Sequence, residues 1–133
     1  MDKKEKSCGV VVVKDNKVLL VKSNKGHYGF PKGHMENNET EEETAIRETK
    51  EETNIDVTVE KTYRYEIYYN VSPDVNKTVI YFIGYPKNDE IIPQDKEIAK
   101  VLWVDIDEVN NYLQFANIIE LWNDKIIKDI KNK

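Results

Sequence analysis

The stretch that decides the fold spans residues 33–55 and reads GHMENNETEEETAIRETKEETNI. Thr40 and Glu43 have the spacing of a capping box, in which each side chain bonds the backbone N–H of the other residue. A helix is therefore predicted to begin at about Glu41. Asn54 tolerates the left-handed conformation that commonly ends a helix. The second half of the stretch thus predicts one acidic helix.

Three glutamates of this helix share one face. Glu48, Glu51 and Glu52 stand at positions i, i+3 and i+4, which are neighbours on a helix surface. Like charges at this spacing destabilise a helix by about 0.2–0.5 kcal/mol per pair. A hard cation such as Mg²⁺ or Mn²⁺, which prefers oxygen ligands, would remove the repulsion. The pattern therefore indicates a metal site, and the alternative interpretation is a solvated acidic face.

An arginine among these acids favours the metal site. The chain has only two arginines among its 20 Lys and Arg residues, and one of them is Arg47. The planar guanidinium can hold a carboxylate with two parallel hydrogen bonds, which lysine cannot do. Glu39 precedes the helix, and Gly33 lies in a Pro-Lys-Gly-His loop just before it. We therefore interpret the stretch as a functional site.

The spacing of these residues resembles the Nudix box, Gly-x5-Glu-x7-Arg-Glu-U-x-Glu-Glu-x-Gly-U, where U is bulky and aliphatic. The chain departs from the pattern at Thr49, where an aliphatic residue is usual, and at Asn54, which replaces the last glycine. Asn tolerates a positive φ, so the second departure is mild. The glycine and charged positions of the pattern that match are Gly33, Glu39, Arg47, Glu48, Glu51 and Glu52.

Length and composition predict one domain, residues 1–133, with a proper core. One cysteine, Cys8, excludes an internal disulfide, and no apolar run is long enough for a membrane span or signal peptide. We therefore expect a cytoplasmic protein. A net charge of −5 argues against a nucleic-acid surface. The expected partner is a small-molecule nucleotide, and the expected state is a monomer or a weak dimer.

Hydrophobic patterns predict an α+β protein, an α/β/α sandwich with a mixed sheet. Residues 115–130 place apolar side chains at helical spacing and predict an amphipathic C-terminal helix. Residues 22–32 and 71–76 are expected to be loops or connections. The fold that the resemblance implies is the same, with a central catalytic helix. The predicted strands comprise residues 7–13, 18–21, 55–59, 63–69, 78–85 and 98–104.

The resemblance to Nudix hydrolases also implies a chemistry, the metal-dependent hydrolysis of a nucleoside diphosphate linked to another moiety. A carboxylate cluster alone would repel a polyphosphate, whereas bound metal ions make the electrostatic interaction between the site and the polyphosphate attractive. The implied metal ligands are Glu48, Glu51 and Glu52, together with the backbone carbonyl of Gly33. Glu39 and Arg47 are expected to orient these ligands, and Arg47 belongs with the three glutamates to the predicted catalytic set.

Further stretches are similar to the asymmetric diadenosine tetraphosphate hydrolases within this family. They are SCGVVVV at residues 7–13, FPKGHME at residues 30–36, KTVIYF at residues 77–82 and YLQF at residues 112–115. This resemblance implies hydrolysis of diadenosine tetraphosphate to ATP and AMP. Water would attack the phosphorus distal to the ATP product.

The same resemblance names residues that would contact the substrate. Lys32, His34 and Lys77 would contact the phosphate chain, although each could be an ordinary solvated side chain or, for Lys77, a charge that protects a strand edge. Tyr69 and Phe115 would stack on adenine, and core packing is the alternative for both.

Glu97 stands before the last predicted strand, where related hydrolases have a glutamate that serves as metal ligand or base. The preceding Lys96 replaces a histidine that is frequent among the relatives, and an exposed loop glutamate is the alternative.

The function of the whole protein also has two rival interpretations. One is a Nudix hydrolase with a different substrate, such as an RNA 5′ end, a damaged nucleotide or a diphosphoinositol phosphate. The second is a Nudix module that binds nucleotides without catalysis.

Overall fold

A computed structural model describes residues 3–94 and 96–133. Helix α1 spans Glu41–Thr53, and the C-terminal region contains a 3₁₀ segment, Ile106–Asn111, followed by α2, Ala116–Leu121, and α3, Ile127–Lys131. A π-helical turn, Trp122–Ile126, joins α2 to α3. The described strands are β1 Lys3–Lys14, β2 Lys17–Ser23, β3 Tyr28–Gly29, β4 Lys32–His34, β5 Val57–Ser72, β6 Val75–Pro86 and β7 Ile98–Asp105.

Strand β1 lies at the centre of a mixed sheet with the order β3-β2-β1-β6-β5. It runs parallel to β6 and antiparallel to β2 and β4, and β7 pairs with β2. Val10 and Val12 point to the layer that contains α1, whereas Val11 packs with Trp122 and Ile126 from the C-terminal helical region. All three valines have no solvent exposure. The continuous valine run is therefore buried on both faces, which confirms the predicted α/β/α architecture.

The capping residues fix both ends of α1 as predicted. Thr40 Oγ1 accepts from the Glu43 N–H at 3.1 Å, and Glu43 Oε1 accepts from the Thr40 N–H at 2.8 Å. Asn54 has φ 69° and its N–H donates to the carbonyl of Lys50. The helix packs on the sheet through small side chains such as Thr44 and Ala45, which are fully buried. This close packing places its glutamate face beside β4.

The structure corrects three sequence predictions. Residues 71–76 are not a loop, because β5 continues to Ser72 and β6 begins at Val75, with a tight turn between them. The strands predicted at residues 55–59 and 63–69 form one strand, β5, with a register shift between Glu60 and Arg64. Residues 22–32, predicted as a connection, contain β3 and the end of β2. Partners in the sheet, which the local pattern does not reveal, extend each of these strands.

Candidate active site

Arg47 and Glu39 form the most strongly bonded pair of the site. Arg47 Nε lies 2.6 Å from Glu39 Oε2, and Nη2 lies 3.0 Å from Oε1, so the guanidinium holds the carboxylate by two bonds. Glu39 also accepts from the Glu36 N–H and from Thr44 Oγ1. The hydrogen bonds from Arg47, followed by the Glu36 N–H, lower the pKa of Glu39 to about 2. Glu39 is therefore an ionised anchor for Arg47.

The same guanidinium links the glutamate face of α1 to β4. Arg47 Nη1 donates to Glu48 Oε1 at 3.1 Å and to both oxygens of Glu51 at 3.2 Å. Arg47 Nη2 also donates to the backbone carbonyl of His34 at 3.0 Å. One side chain thus bonds two glutamates and the strand that precedes the helix. That Arg47 orients metal ligands stays a prediction.

Glu48 is pressed against Gly33. A Cβ built at Gly33 would lie 1.5 Å from Glu48 Oε2, so only glycine leaves room for this carboxylate. Burial raises the pKa of Glu48, and the neighbouring Glu51 carboxylate raises it further against the opposing effect of Arg47. Glu48 is therefore held in a place where its negative charge is poorly compensated by the protein alone.

The donor set of this region suits a hard cation. It consists of carboxylate oxygens and the backbone carbonyl of Gly33, the residue against which Glu48 packs, and such oxygens are ligands of Mg²⁺ and Mn²⁺ in proteins. The three carboxylates do not converge as they stand, because Glu48 and Glu51 bond Arg47 while Glu52 bonds the Lys32 N–H. Across residues 3–94 and 96–133, no three acidic, histidine or cysteine side chains are already grouped as a metal site. Glu48, Glu51 and Glu52 nevertheless stand at positions i, i+3 and i+4 of α1, on one face of the helix.

A cavity of about 470 Å³ lies beside the glutamate face. Its walls come from β2, β3, the β5–β6 pair, the start of β7 and the N-terminal part of α2. Apolar side chains such as Val79 and Ile118 make much of its lining, together with a few polar groups, which is typical of a ligand pocket. Of the residues that the sequence predicted, it brings together Lys32, Glu52, Tyr69, Glu97 and Phe115.

Lys32 and Glu52 connect this cavity to the glutamate face. The Lys32 N–H donates to Glu52 Oε1 at 3.2 Å. Burial lowers the pKa of the Lys32 ammonium, and the nearby charge of Lys77 lowers it further. An anionic ligand beside Lys32 would relieve both effects. The position of Lys32 is thus suited to a phosphate group.

Two predicted phosphate contacts do not line the cavity. The His34 side chain is 66% exposed, with Nε2 4.0 Å from Glu5 Oε2, and only its backbone joins the site through Arg47. Lys77 lies opposite Tyr69 in the β5–β6 pairing. Its positive charge lowers the pKa of Lys32, which does line the cavity.

Sequence reasoning missed His27 and Asn117, which both line the cavity. The ring of His27 packs edge-on against Phe115 with the centroids 5.1 Å apart. Its loop is tied to the Glu97 segment, because the Asn24 N–H donates to the Glu97 carbonyl at 2.9 Å and Asn24 Nδ2 donates to the Lys96 carbonyl at 2.5 Å. The only sequence feature that indicated His27 as a site residue was its position shortly before the FPKGH stretch. No sequence feature indicated Asn117.

The arrangement of these residues agrees with a comparison to known families, since a match to the NUDIX domain extends over residues 3–128. The chain belongs to the Nudix hydrolase family. This Nudix hydrolase is 31% identical over 129 residues to the asymmetrical bis(5′-nucleosyl)-tetraphosphatase of Sus scrofa, with 85% of this chain and 87% of that protein covered. It is 38% identical over 92 residues to the putative mutator protein MutT4 of Mycobacterium tuberculosis, with 68% of this chain but only 37% of that protein covered.

The fold is also that of solved Nudix structures. The binary complex of a C. elegans Ap4A hydrolase superposes with a TM-score of 0.84 at 24% identity, and the match covers 97% of this chain and 99% of that one. In the described part of this Nudix hydrolase, no helix has the length and apolar character needed to cross a membrane.

Proposed function

We propose that this Nudix hydrolase cleaves a dinucleoside polyphosphate, with diadenosine tetraphosphate as the substrate and ATP and AMP as the products. The observation that carries the proposal is the cavity that brings Lys32, Glu52 and Glu97 together with Tyr69 and Phe115. A nucleotide needs an aromatic surface for its base, a cation for its phosphates and acidic groups at the point of cleavage. The similarity to the Sus scrofa tetraphosphatase supports this choice of substrate.

The parts of the cavity have different roles in this proposal. Phe115, which is 52% exposed, and the half-buried Tyr69 offer ring surfaces to a base. Lys32 binds a phosphate oxygen, with Lys77 adding positive charge nearby and His34 acting only if its exposed ring turns toward the phosphate chain. Glu97 also lines the cavity and serves as the base that accepts a proton from the attacking water, or as a further metal ligand.

The proposed cofactor is Mg²⁺ or Mn²⁺. Glu48, Glu51 and Glu52 with the Gly33 carbonyl would hold it, and Arg47 and Glu39 orient these groups through the bonds described above. When bound, a divalent ion neutralises phosphate charge and lowers the pKa of a coordinated water. The chain's own contribution is to fix the carboxylates, to hold the phosphate with Lys32 and to exclude water with the apolar walls.

The proposal includes the setting in which the enzyme works. We propose that residues 1–133 form one domain that acts on a small-molecule nucleotide in the cytoplasm, as a monomer or a weak dimer. The net charge of −5 and the spread of the lysines along the sequence, without a dense run, argue against an RNA chain as the substrate. The similarity to a putative mutator protein makes a damaged mononucleotide the second candidate substrate.

Product analysis tests the proposed reaction. The purified protein is incubated with Mg²⁺ and diadenosine tetraphosphate in ¹⁸O-labelled water, and the products and their label are identified by mass spectrometry. ATP and AMP with the label in AMP are expected, because water then attacks the phosphorus distal to ATP. Two molecules of ADP would overturn the asymmetric mechanism. No turnover would overturn the proposed substrate and make oxidised nucleoside triphosphates, capped RNA and diphosphoinositol phosphates the next assays.

A further inference from the structure

Asn117 is a polar side chain in the cavity that the proposed reaction does not use. It is half-buried, lies in the first turn of α2 and lines the cavity together with its neighbour Ile118. Its Oδ1 accepts the Ile118 N–H at 2.8 Å, which fixes the end of the amide that carries the oxygen. Within the residues that the structure describes, Nδ2 donates to no protein acceptor. The amide nitrogen is therefore available to a molecule in the cavity.

The surroundings of Asn117 differ from those of the charged groups. The other side chains that line the cavity on α2 and β5 are apolar or aromatic, namely Ile118, Ile67 and Tyr69, and Phe115 immediately precedes α2. Lys32, Glu52 and Glu97 belong to other segments of the chain. A lone amide among aromatic and aliphatic groups is the kind of polar group that fixes the orientation of a planar heterocycle in a pocket.

We propose that Asn117 reads the hydrogen-bonding edge of the substrate base and makes the cavity selective for adenine over guanine. Nδ2 donates to a ring nitrogen, and the second lone pair of Oδ1 accepts from the exocyclic amino group. In adenine, a ring-nitrogen acceptor lies beside the exocyclic amino group on two edges, at N7 and at N1. In guanine, an acceptor lies beside the amino group on one edge only. The inference rests on the proposed function, because it assumes that a nucleotide occupies the cavity.

Substitution by aspartate isolates the amide donor. Asn117→Asp keeps an oxygen for the Ile118 N–H, so the local turn is preserved, but it replaces the donor by a second acceptor. Adenine then loses one bond, while the N1–H and N2 amino groups of guanine gain two acceptors. Asn117→Ala removes both the hydrogen-bond donor and the acceptor. The exposed Gln114, three positions before Asn117, provides the matched control, because Gln114→Glu makes the same change of charge outside the cavity lining.

The experiment measures dissociation constants for AMP, GMP and inorganic pyrophosphate by calorimetry in the presence of Mg²⁺, for the wild-type protein and the three variants. The wild-type protein is expected to bind AMP more tightly than GMP. Asn117→Asp should shift the ratio of the two affinities toward GMP by about tenfold, and Asn117→Ala should bring it close to one. Pyrophosphate binding should be unchanged in Asn117→Ala, and Gln114→Glu should keep the wild-type ratio.

The outcomes separate the inference from the function on which it rests. Binding of AMP and GMP with the same ratio in the wild-type protein and both Asn117 variants overturns the role of Asn117 and leaves the proposed hydrolase in place. Binding of pyrophosphate without either nucleotide by the wild-type protein overturns both, since the cavity then holds no base. A shift of the ratio in Gln114→Glu equal to that in Asn117→Asp assigns the effect to charge alone and also overturns the inference.

Discussion

The Glu48 carboxylate occupies the space that a side chain on Gly33 would need, with Oε2 1.5 Å from the position of a Cβ. Gly33→Ala should therefore displace Glu48 from Arg47 and lower kcat/KM by about 100-fold, because a misplacement of about 1 Å can cost that much. The displaced group is the end of a flexible side chain, so the melting temperature should change little. Steady-state kinetics and thermal unfolding measure the two effects.

A double variant shows whether Gly33 acts through Glu48. If it does, Gly33→Ala combined with Glu48→Gln should lose no more activity than Glu48→Gln alone, since the two changes remove one interaction. Additive losses would contradict the link between the two residues.

Glu52→Gln is expected to lower kcat by about 1000-fold. This factor corresponds to the loss of several kcal/mol of charge stabilisation in the transition state. Gln keeps the size of the side chain and an oxygen for the Lys32 N–H, so thermal unfolding should be close to that of the wild-type protein. Glu42→Gln makes the same change elsewhere on α1, at a residue that pairs with the exposed Lys61. Near-wild-type turnover by Glu52→Gln would remove Glu52 from the catalytic set.

Arg47→Lys tests the need for a guanidinium. A lysine cannot bond Glu39 by two hydrogen bonds while it also reaches Glu48 and Glu51, so we expect a loss of about 10–100-fold in kcat/KM. Arg64 is the control, because it also binds a carboxylate with two hydrogen bonds. Its partner is Glu41, and Arg64 does not line the cavity. Arg64→Lys should retain activity, and equal activity in both variants would contradict the role of Arg47.

Thr49→Val is expected to stabilise the fold. Thr49 has no solvent exposure, and its hydroxyl has no hydrogen-bond partner among the described residues, although a buried unpaired hydroxyl costs about 1–3 kcal/mol. Valine has the same shape, so we expect a gain of about 1 kcal/mol and a rise of about 3–5 °C in Tm. Thr53→Val should destabilise instead, because Thr53 Oγ1 donates to the Thr49 carbonyl and accepts the Ile55 N–H. Equal effects of the two changes would refute this explanation.

Acid should weaken the fold through Glu41. Hydrogen bonds from Arg64, opposed by burial and assisted by Lys6, lower the pKa of Glu41 to about 2 from an unfolded value near 4.5. Because the folded pKa is the lower one, the stabilisation is complete above pH 4.5 and is lost as the pH falls toward 2. Urea unfolding should show Glu41→Gln less stable by about 1 kcal/mol at pH 7 and equal to the wild-type protein near pH 2. A difference that does not depend on pH would contradict the assignment.

Local chemistry predicted the parts of the fold that depend on neighbouring residues. The capping pair Thr40 and Glu43 and the left-handed Asn54 determine α1 within a few residues, and the structure confirms all three. The valine run correctly predicted a strand buried on both faces. The order of the strands, the length of β5 and the π-helical turn at Trp122 depend on contacts between distant segments, which a single sequence does not display.

The candidate site divides in the same way. Arg47 and Glu39 were predicted to orient the glutamates, and the bonds between them have the expected two-pronged form. The cavity that joins Glu97 to Phe115 exists because several distant segments and α2 meet there, so its additional members His27 and Asn117 had no pattern of their own. The metal ligands and the catalytic roles stay predictions that the experiments above address.

The parallel pairing of β1 with β6 has a consequence for the newly made chain. Lys3 pairs with Val75, so about 70 residues must be synthesised before one edge of the central strand can be covered. At about 5–20 residues per second, the ribosome needs roughly 4–14 s for this length. During that time the valine run presents an uncovered apolar edge, which is the type of segment that chaperones bind and that aggregates with other nascent chains. Slow translation of the segment before β6 should therefore lower the yield of soluble protein more than slow translation after Pro86.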